Sequence, residues 1–105
     1  MTTFDERERA FEAKFASDAE HAFRILARRD RLLGEWAGTV LGKSGEALEA
    51  YAASVVRADL KGPGDEDVAL KVEADLADRP EAAQVRERMK ALLDTLRTDD
   101  DATPD

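Results

Sequence analysis

Apolar positions along the first forty residues follow a helical period. Phe4, Phe11 and Phe15 fall within roughly 20° of one line at about 100° per residue, and Ala22, Leu26, Leu33 and Val40 continue that line to within roughly 40°. No glycine or proline precedes Gly34, so the pattern predicts one helix from Phe4 to Leu41. Thr3 and Glu6 have the spacing of a capping box, and Asp5 and Glu6 set negative charge at the positive end of the helix dipole. Asp5 and Arg9 form a favourable i,i+4 pair, while Ala10, Ala13, Ala16 and Ala19 occupy the face away from the phenylalanines. Gly42 suits the left-handed position that ends a helix, and Ser44 suits the next N-cap. A second helix is expected from Glu46 to Leu60, with Leu48, Tyr51, Val55 and Val56 on its apolar side. After the Gly62-Pro63-Gly64 turn, Asp65 caps a third helix whose Val68, Val72 and Leu76 recur every fourth residue. Asp78 reads as the N-cap of a fourth, with Pro80 in its first turn and Val85, Met89, Leu92, Leu93 and Leu96 as its core stripe.

Four helices joined by short turns predict an all-α, antiparallel four-helix bundle. A helix of about 38 residues is about 57 Å long, whereas a compact domain of this size has a radius of gyration near 13 Å, so one end must project or fold back. The glycines, the tryptophan and Leu32-Leu33 lie toward Leu41, which assigns that end to the body and the phenylalanine end to a free arm. The expected organisation is an N-terminal arm over 1–19, a bundle over 20–97 and a tail over 98–105. Burying three phenylalanines contributes at most about 5 to 9 kcal/mol, and ordering a dozen backbone residues costs on the order of 12 kcal/mol. The arm is therefore expected to be flexible and conditionally helical, ordering where an apolar groove receives it.

Charge refines this division. Asp99, Asp100, Asp101 and Asp105 carry half of the formal net charge of -8. They lie in an aperiodic segment containing Pro104, read as a disordered acidic tail. A pI near 4.7 argues against nucleic-acid or anionic-membrane binding. Neither a signal peptide nor a membrane span is expected, since no basic apolar leader and no apolar run near 18 residues occurs. With no cysteine, a thiolate metal site and disulfides are excluded. Against the acidic background Arg24, Arg28, Arg29 and Arg31 form a basic island, read either as a solvated helix face or as a docking patch.

No arrangement in the chain supports an enzyme. Asp18 and His21 have carboxylate-x-x-His spacing, but a di-iron bundle needs two histidines and the chain has one. Ala37 to Ser44 ends like a P-loop, yet Ala37 stands where the first glycine is required and the preceding residues are helical rather than a strand. Asp65, Glu66 and Asp67 lack the glycine and downstream spacing of an EF-hand. No serine nucleophile, base and orienter are arranged for covalent catalysis. Neither a cofactor nor a metal is expected.

Phe4-Asp5, Arg7-Glu8 and Ala10 to Ala16, followed by Ala27 to Gly34 with Trp36-Ala37, resemble the bacterial zeta subunit family of F-type ATP synthase inhibitors. The resemblance continues through Tyr51-Ala52, Val55-Val56, Ala58-Asp59-Leu60, Gly64 to Val68 and Lys71-Val72. Against that pattern Asp30 stands where asparagine is expected, Glu35 where an apolar residue is usual, and Gly38 where alanine is more typical. The resemblance implies a four-helix bundle whose N-terminal segment enters a catalytic interface of the ATPase head and blocks rotation. Its implied partners are the alpha, beta and rotary-shaft subunits, at the cytoplasmic face of the inner membrane. Carried over by position, Phe4, Arg7, Glu8, Phe11, Lys14 and Phe15 are the expected inhibitory contacts. Two other readings of the residues stay open here: a helical adaptor for a different partner, and a weak nucleotide-binding module at Gly42-Lys43-Ser44.

Overall fold

A computed structural model describes the backbone of residues 3–60 and 64–102 and the side chains of residues 19–60 and 64–98. Four α-helices run in the order α1 (Thr3–Val40), α2 (Gly45–Asp59), α3 (Glu66–Leu76) and α4 (Val85–Ala102), with no strand among the described residues. The all-α, four-helix reading of the periodicity holds.

The core sits at the C-terminal end of α1. Leu33 and Ala37 of α1 pack with Val55 of α2, Val68, Ala69, Val72 and Leu76 of α3, and Val85 and Met89 of α4, all buried. Trp36, Tyr51 and Leu92 close its edges. Cations cover the two aromatic ring faces: the Arg88 guanidinium lies 4.3 Å from the Trp36 ring centroid, and the Lys71 ammonium 5.3 Å from that of Tyr51. The Tyr51 hydroxyl donates to Asp75 at 2.9 Å, and the same carboxylate oxygen accepts from Lys71. Burial, reinforced by that carboxylate, pushes the Tyr51 phenol up. Arg86 of α4 clasps Glu66 and Glu73 of α3 across the surface.

Helix α1 and helix α2 meet more closely than ordinary side chains allow. A Cβ built on Gly34 would stand 2.7 Å from the Ala52 Cα, and one on Gly38 would stand 2.5 Å from Leu48 Cδ1. Glycine weakens a helix interior by about 1 kcal/mol relative to alanine, and here the backbone contact replaces that loss with packing. Helix α1 then stops in a Schellman motif: Lys43 N–H donates to Gly38 O at 2.9 Å and Gly42 N–H to Thr39 O at 3.0 Å, with Gly42 at φ 84°.

Four local expectations are refined. Ser44 occupies the N-cap of α2 with extended backbone, but its side chain makes no capping bond. Asp65 is the N-cap of α3, and its carboxylate likewise makes no capping bond because Arg29 takes it. Asp78 does not cap the fourth helix: Arg79 precedes a 3-10 turn over Pro80–Gln84, and α4 starts at Val85. A proline at the first position lacks the amide and fixes the backbone angle that such a tight turn accommodates. Helix α4 reaches Ala102, so the first residues of segment 98–105 continue it, and Thr98 Oγ1 donates to Asp94 O within the helix.

Gly34→Ala tests the close crossing. The added methyl meets backbone rather than a flexible side chain, and overpacking of this kind costs about 1 to 3 kcal/mol. The variant is expected to melt several degrees lower despite alanine's higher helix propensity; an unchanged or raised Tm would show that the crossing relaxes freely.

Candidate functional site

Helix α1 leaves the body as a rod. Residues 19–24 are all exposed, and the first buried residues of α1 among those described are Arg29 and Asp30. The molecule measures 63 × 29 × 25 Å with a radius of gyration of 17.5 Å, against about 13 Å for a compact chain of this length. Phe4, Arg7, Glu8, Phe11, Lys14 and Phe15 all belong to this helix by backbone. At 1.5 Å per residue, Phe4 and Phe15 stand about 17 Å apart along its axis. Their side chains lie outside the described residues, as do those of the Thr3–Glu6 capping box and Asp18.

The basic island divides. Arg24, Arg28 and Arg31 are exposed, Arg24 beside Glu20 and Arg31 beside Glu35, both one turn away. Arg29 does not belong to a docking patch: it is 1% exposed. Helical register explains the correction, since Arg29 precedes Leu33 by one turn and Trp36 by two, and so falls on the core face.

Arg29 is instead the hub of a cluster of carboxylates. Its Nε and Nη2 donate to Asp30 Oδ1 at 2.9 and 2.8 Å, and its Nη1 and Nη2 donate to Asp65 Oδ2 and Oδ1 at 3.1 and 2.9 Å. Asp59 Oδ2, at the end of α2, lies 3.9 Å from Nη2. One guanidinium thus joins α1 to the end of α2 and the start of α3. Burial acts to lower the Arg29 pKa, and the hydrogen bonds to Asp65 and Asp30 outweigh it, leaving the group firmly charged. The Arg29 hydrogen bonds hold Asp65 below the usual carboxylate range.

Asp30 is the exception. It is fully buried, and its Oδ2 has no hydrogen-bond donor. Burial first, then the hydrogen bond facing Asp59, push its carboxyl up to about 7 against the lowering pull of Arg29. The contact with Asp59 favours the neutral Asp30 acid because a protonated carboxyl can donate there, whereas two ionised carboxylates repel. Beside them opens a cavity of about 200 Å³, lined by Phe23, Leu26, Asp30, Asp59, Leu60 and Asp65 among others.

The P-loop-like segment takes a different shape from a phosphate-binding loop. Ala37 to Val40 are helical, Ala37 is buried in the core, and Lys43 lies 5.9 Å from the Tyr51 ring centroid, so nothing resembles a phosphate cradle. No group of three or more metal-ligating side chains gathers among the described residues, and no described helix is long and apolar enough to cross a membrane.

The model of a known family, ATPase inhibitor subunit zeta, matches residues 1–99, which span the rod, the Arg29 hub and all four helices. The chain belongs to the ATPase inhibitor subunit zeta family. A protein whose structure was solved by solution NMR is similar to this zeta-family chain, with 47% sequence identity and a TM-score of 0.64, the match covering 72% of this chain and 89% of that one. No curated protein matches the sequence. Membership in an inhibitor family of this kind implies a regulatory partner of an ATP synthase.

The acidic cluster of this zeta-family chain sets a pH dependence. A carboxyl near 7 in the folded state and near 3.8 unfolded contributes stability that is fully present below 3.8 and is lost as pH rises through 7. Denaturant unfolding is expected to give a stability about 1 to 2 kcal/mol lower at pH 8 than at pH 5, and Asp30→Asn is expected to flatten that slope. Equal slopes in both proteins would place Asp30 among ordinary ionised carboxylates.

Proposed function

We propose that the protein inhibits ATP hydrolysis by the F-type ATP synthase head. In this reading the N-terminal length of α1 enters the interface between alpha, beta and rotary-shaft subunits and blocks rotation. The observation that carries it is the unbroken α1 backbone running from Thr3 past an exposed stretch into the buried Arg29 hub. A wedge must reach its cleft and also resist the load of a turning shaft. A helix anchored at one end by core packing and a guanidinium, and exposed over residues 19–24 ahead of that anchor, meets both demands.

Phe4, Phe11 and Phe15 act as apolar anchors for a cleft that opens at one catalytic state, and Arg7, Glu8 and Lys14 set register through charge pairs. Arg24, Arg28 and Arg31 extend the contact along the outside of the head. One wedge suffices, because the catalytic sites turn over through a shared shaft. The complex forms at the cytoplasmic face of the inner membrane.

ATP hydrolysis by the isolated catalytic head separates the arm from the body. Full-length protein is expected to inhibit, and a version starting at Glu20 is expected to lose inhibition. Phe11→Ala is expected to weaken inhibition while changing stability by no more than about 0.5 kcal/mol, as for a surface position. Equal inhibition with and without residues 1–19 would sink the wedge, and a large loss of Tm in Phe11→Ala would return that residue to the core.

A further inference from the structure

Helix α4 runs back along α1 toward the base of the rod. Arg88 covers the ring of Trp36, and Leu93, five residues further along α4, lines one cavity with Arg29, seven residues back along α1. The two helices are therefore antiparallel, and each rises about 1.5 Å per residue. Extending α4 from either contact brings the backbone of Asp99, Asp100 and Asp101 level with residues 21–25 of α1, the stretch that holds Arg24. Packed helices stand about 8 to 10 Å apart between axes, so charges on their adjoining sides lie within about one Debye length at physiological salt.

These two lengths carry opposite charge. From Asp94 to Ala102, α4 holds four aspartates and a single arginine, Arg97, whose charge acts on Asp65. On α1, Arg24 reaches Glu20 at 3.8 Å with both side chains largely exposed, and Arg28 is exposed with no ion pair among the described residues. Arg31 is taken by Glu35 at 3.2 Å. The acidic run also sits at the unfavourable end of its own helix. Three aspartates close α4 with no basic residue in its last turn, and there they meet the negative end of the helix dipole, a local cost that cations on a neighbouring helix offset. Residues 19–24 stay exposed, so apolar packing against them does not hold the end of α4 in place.

We propose that the acidic end of α4 is an internal competitor for the docking arginines: Asp99, Asp100 and Asp101 hold Arg24 and Arg28 by charge in the free protein, and an acidic surface of the partner displaces them on binding. The partner is taken to be the ATPase head, so the inference rests on the function proposed above and adds a regulation to its docking patch. Each exposed pair is weak, and the hold comes from three carboxylates acting together on two guanidinium groups. A surface that presents more negative charge than the α4 end wins the arginines, whereas a weakly acidic one does not. Docking then frees the last turn of α4, which loses the cations that offset its dipole.

Two measurements on the full-length protein test this. In the first, wild type and the triple variant Asp99→Asn, Asp100→Asn, Asp101→Asn are titrated into the isolated catalytic head at about 0.05 M and about 0.5 M salt. The variant is expected to bind at least about threefold tighter than wild type at low salt, with the difference gone at high salt. In the second, amide hydrogen exchange is followed in the free protein, where the double variant Arg24→Gln, Arg28→Gln is expected to exchange faster than wild type over residues 97–102 and equally over the core of α4 from Val85 to Met89. Equal or weaker binding by the aspartate variant at low salt overturns the proposal, and so does unchanged exchange over residues 97–102 in the arginine variant. If neither wild type nor the aspartate variant binds the head, the function on which the proposal rests falls, and the exchange measurement alone decides whether the arginines hold the end of α4.

Discussion

The buried guanidinium of Arg29 ties the long helix to the end of α2 and the start of α3. A charged group with 1% exposure is tolerable only if it is paired and hydrogen-bonded, and Asp30 and Asp65 between them accept from all three guanidinium nitrogens. The two partners come from different places in the chain, one adjacent on α1 and one at the N-cap of α3. Their joint hold on Arg29 fixes where the second half of the bundle sits relative to the long helix. Asp65 gives up its capping role to do so, which shows that the long-range contact outweighs the local one. Burying a charge pair adds little net stability against an apolar alternative, and its value here is positional.

Position matters because α1 is asymmetric. Its last third is clamped by Gly34 against Ala52 and by Leu33 and Ala37 in the core, so rotation or sliding of the helix would drive backbone into backbone. Residues 19–24 touch none of that core. The boundary between the clamped and free lengths falls within a turn or two of Arg29. A force applied at the N-terminal end of such a rod is received by the hub and the glycine crossing rather than by the peripheral turns. The same boundary carries the acidic cavity, which makes the base of the rod the place where charge, packing and leverage meet.

Much of this was legible in the sequence. The four-residue recurrence of Val68, Val72 and Leu76 and the Gly42 stop gave the helices without tertiary knowledge, because both signals are local. The length of α1 relative to any compact body gave the projecting rod. Charge counted along the chain puts Arg29 in a docking patch with Arg24, Arg28 and Arg31, whereas its one-turn spacing from Leu33 puts it on the core face. The Asp30–Asp59–Asp65 cluster was not legible, since it joins residues on three helices that only packing brings together. Asp30 did stand out as an aspartate where the resemblance leads one to expect asparagine. The structure gives that substitution a physical sense, because a protonated carboxyl donates to Asp59 as an amide would. The start of the fourth helix is not legible either: Asp78 has capping chemistry, but the tight 3-10 turn at Pro80 delays α-helical geometry to Val85.

Buried electrostatics set the base of the long helix, and the proposed inhibition rests on its N-terminal length. Residue-resolved amide hydrogen exchange, compared between the protein alone and the protein bound to the catalytic head, tests that division most directly. Amides from Leu33 to Val40 are expected to be strongly protected in both states, while those from Phe4 to Asp18 gain protection only on binding. Unchanged exchange over Phe4 to Asp18 in an inhibited complex would contradict the account.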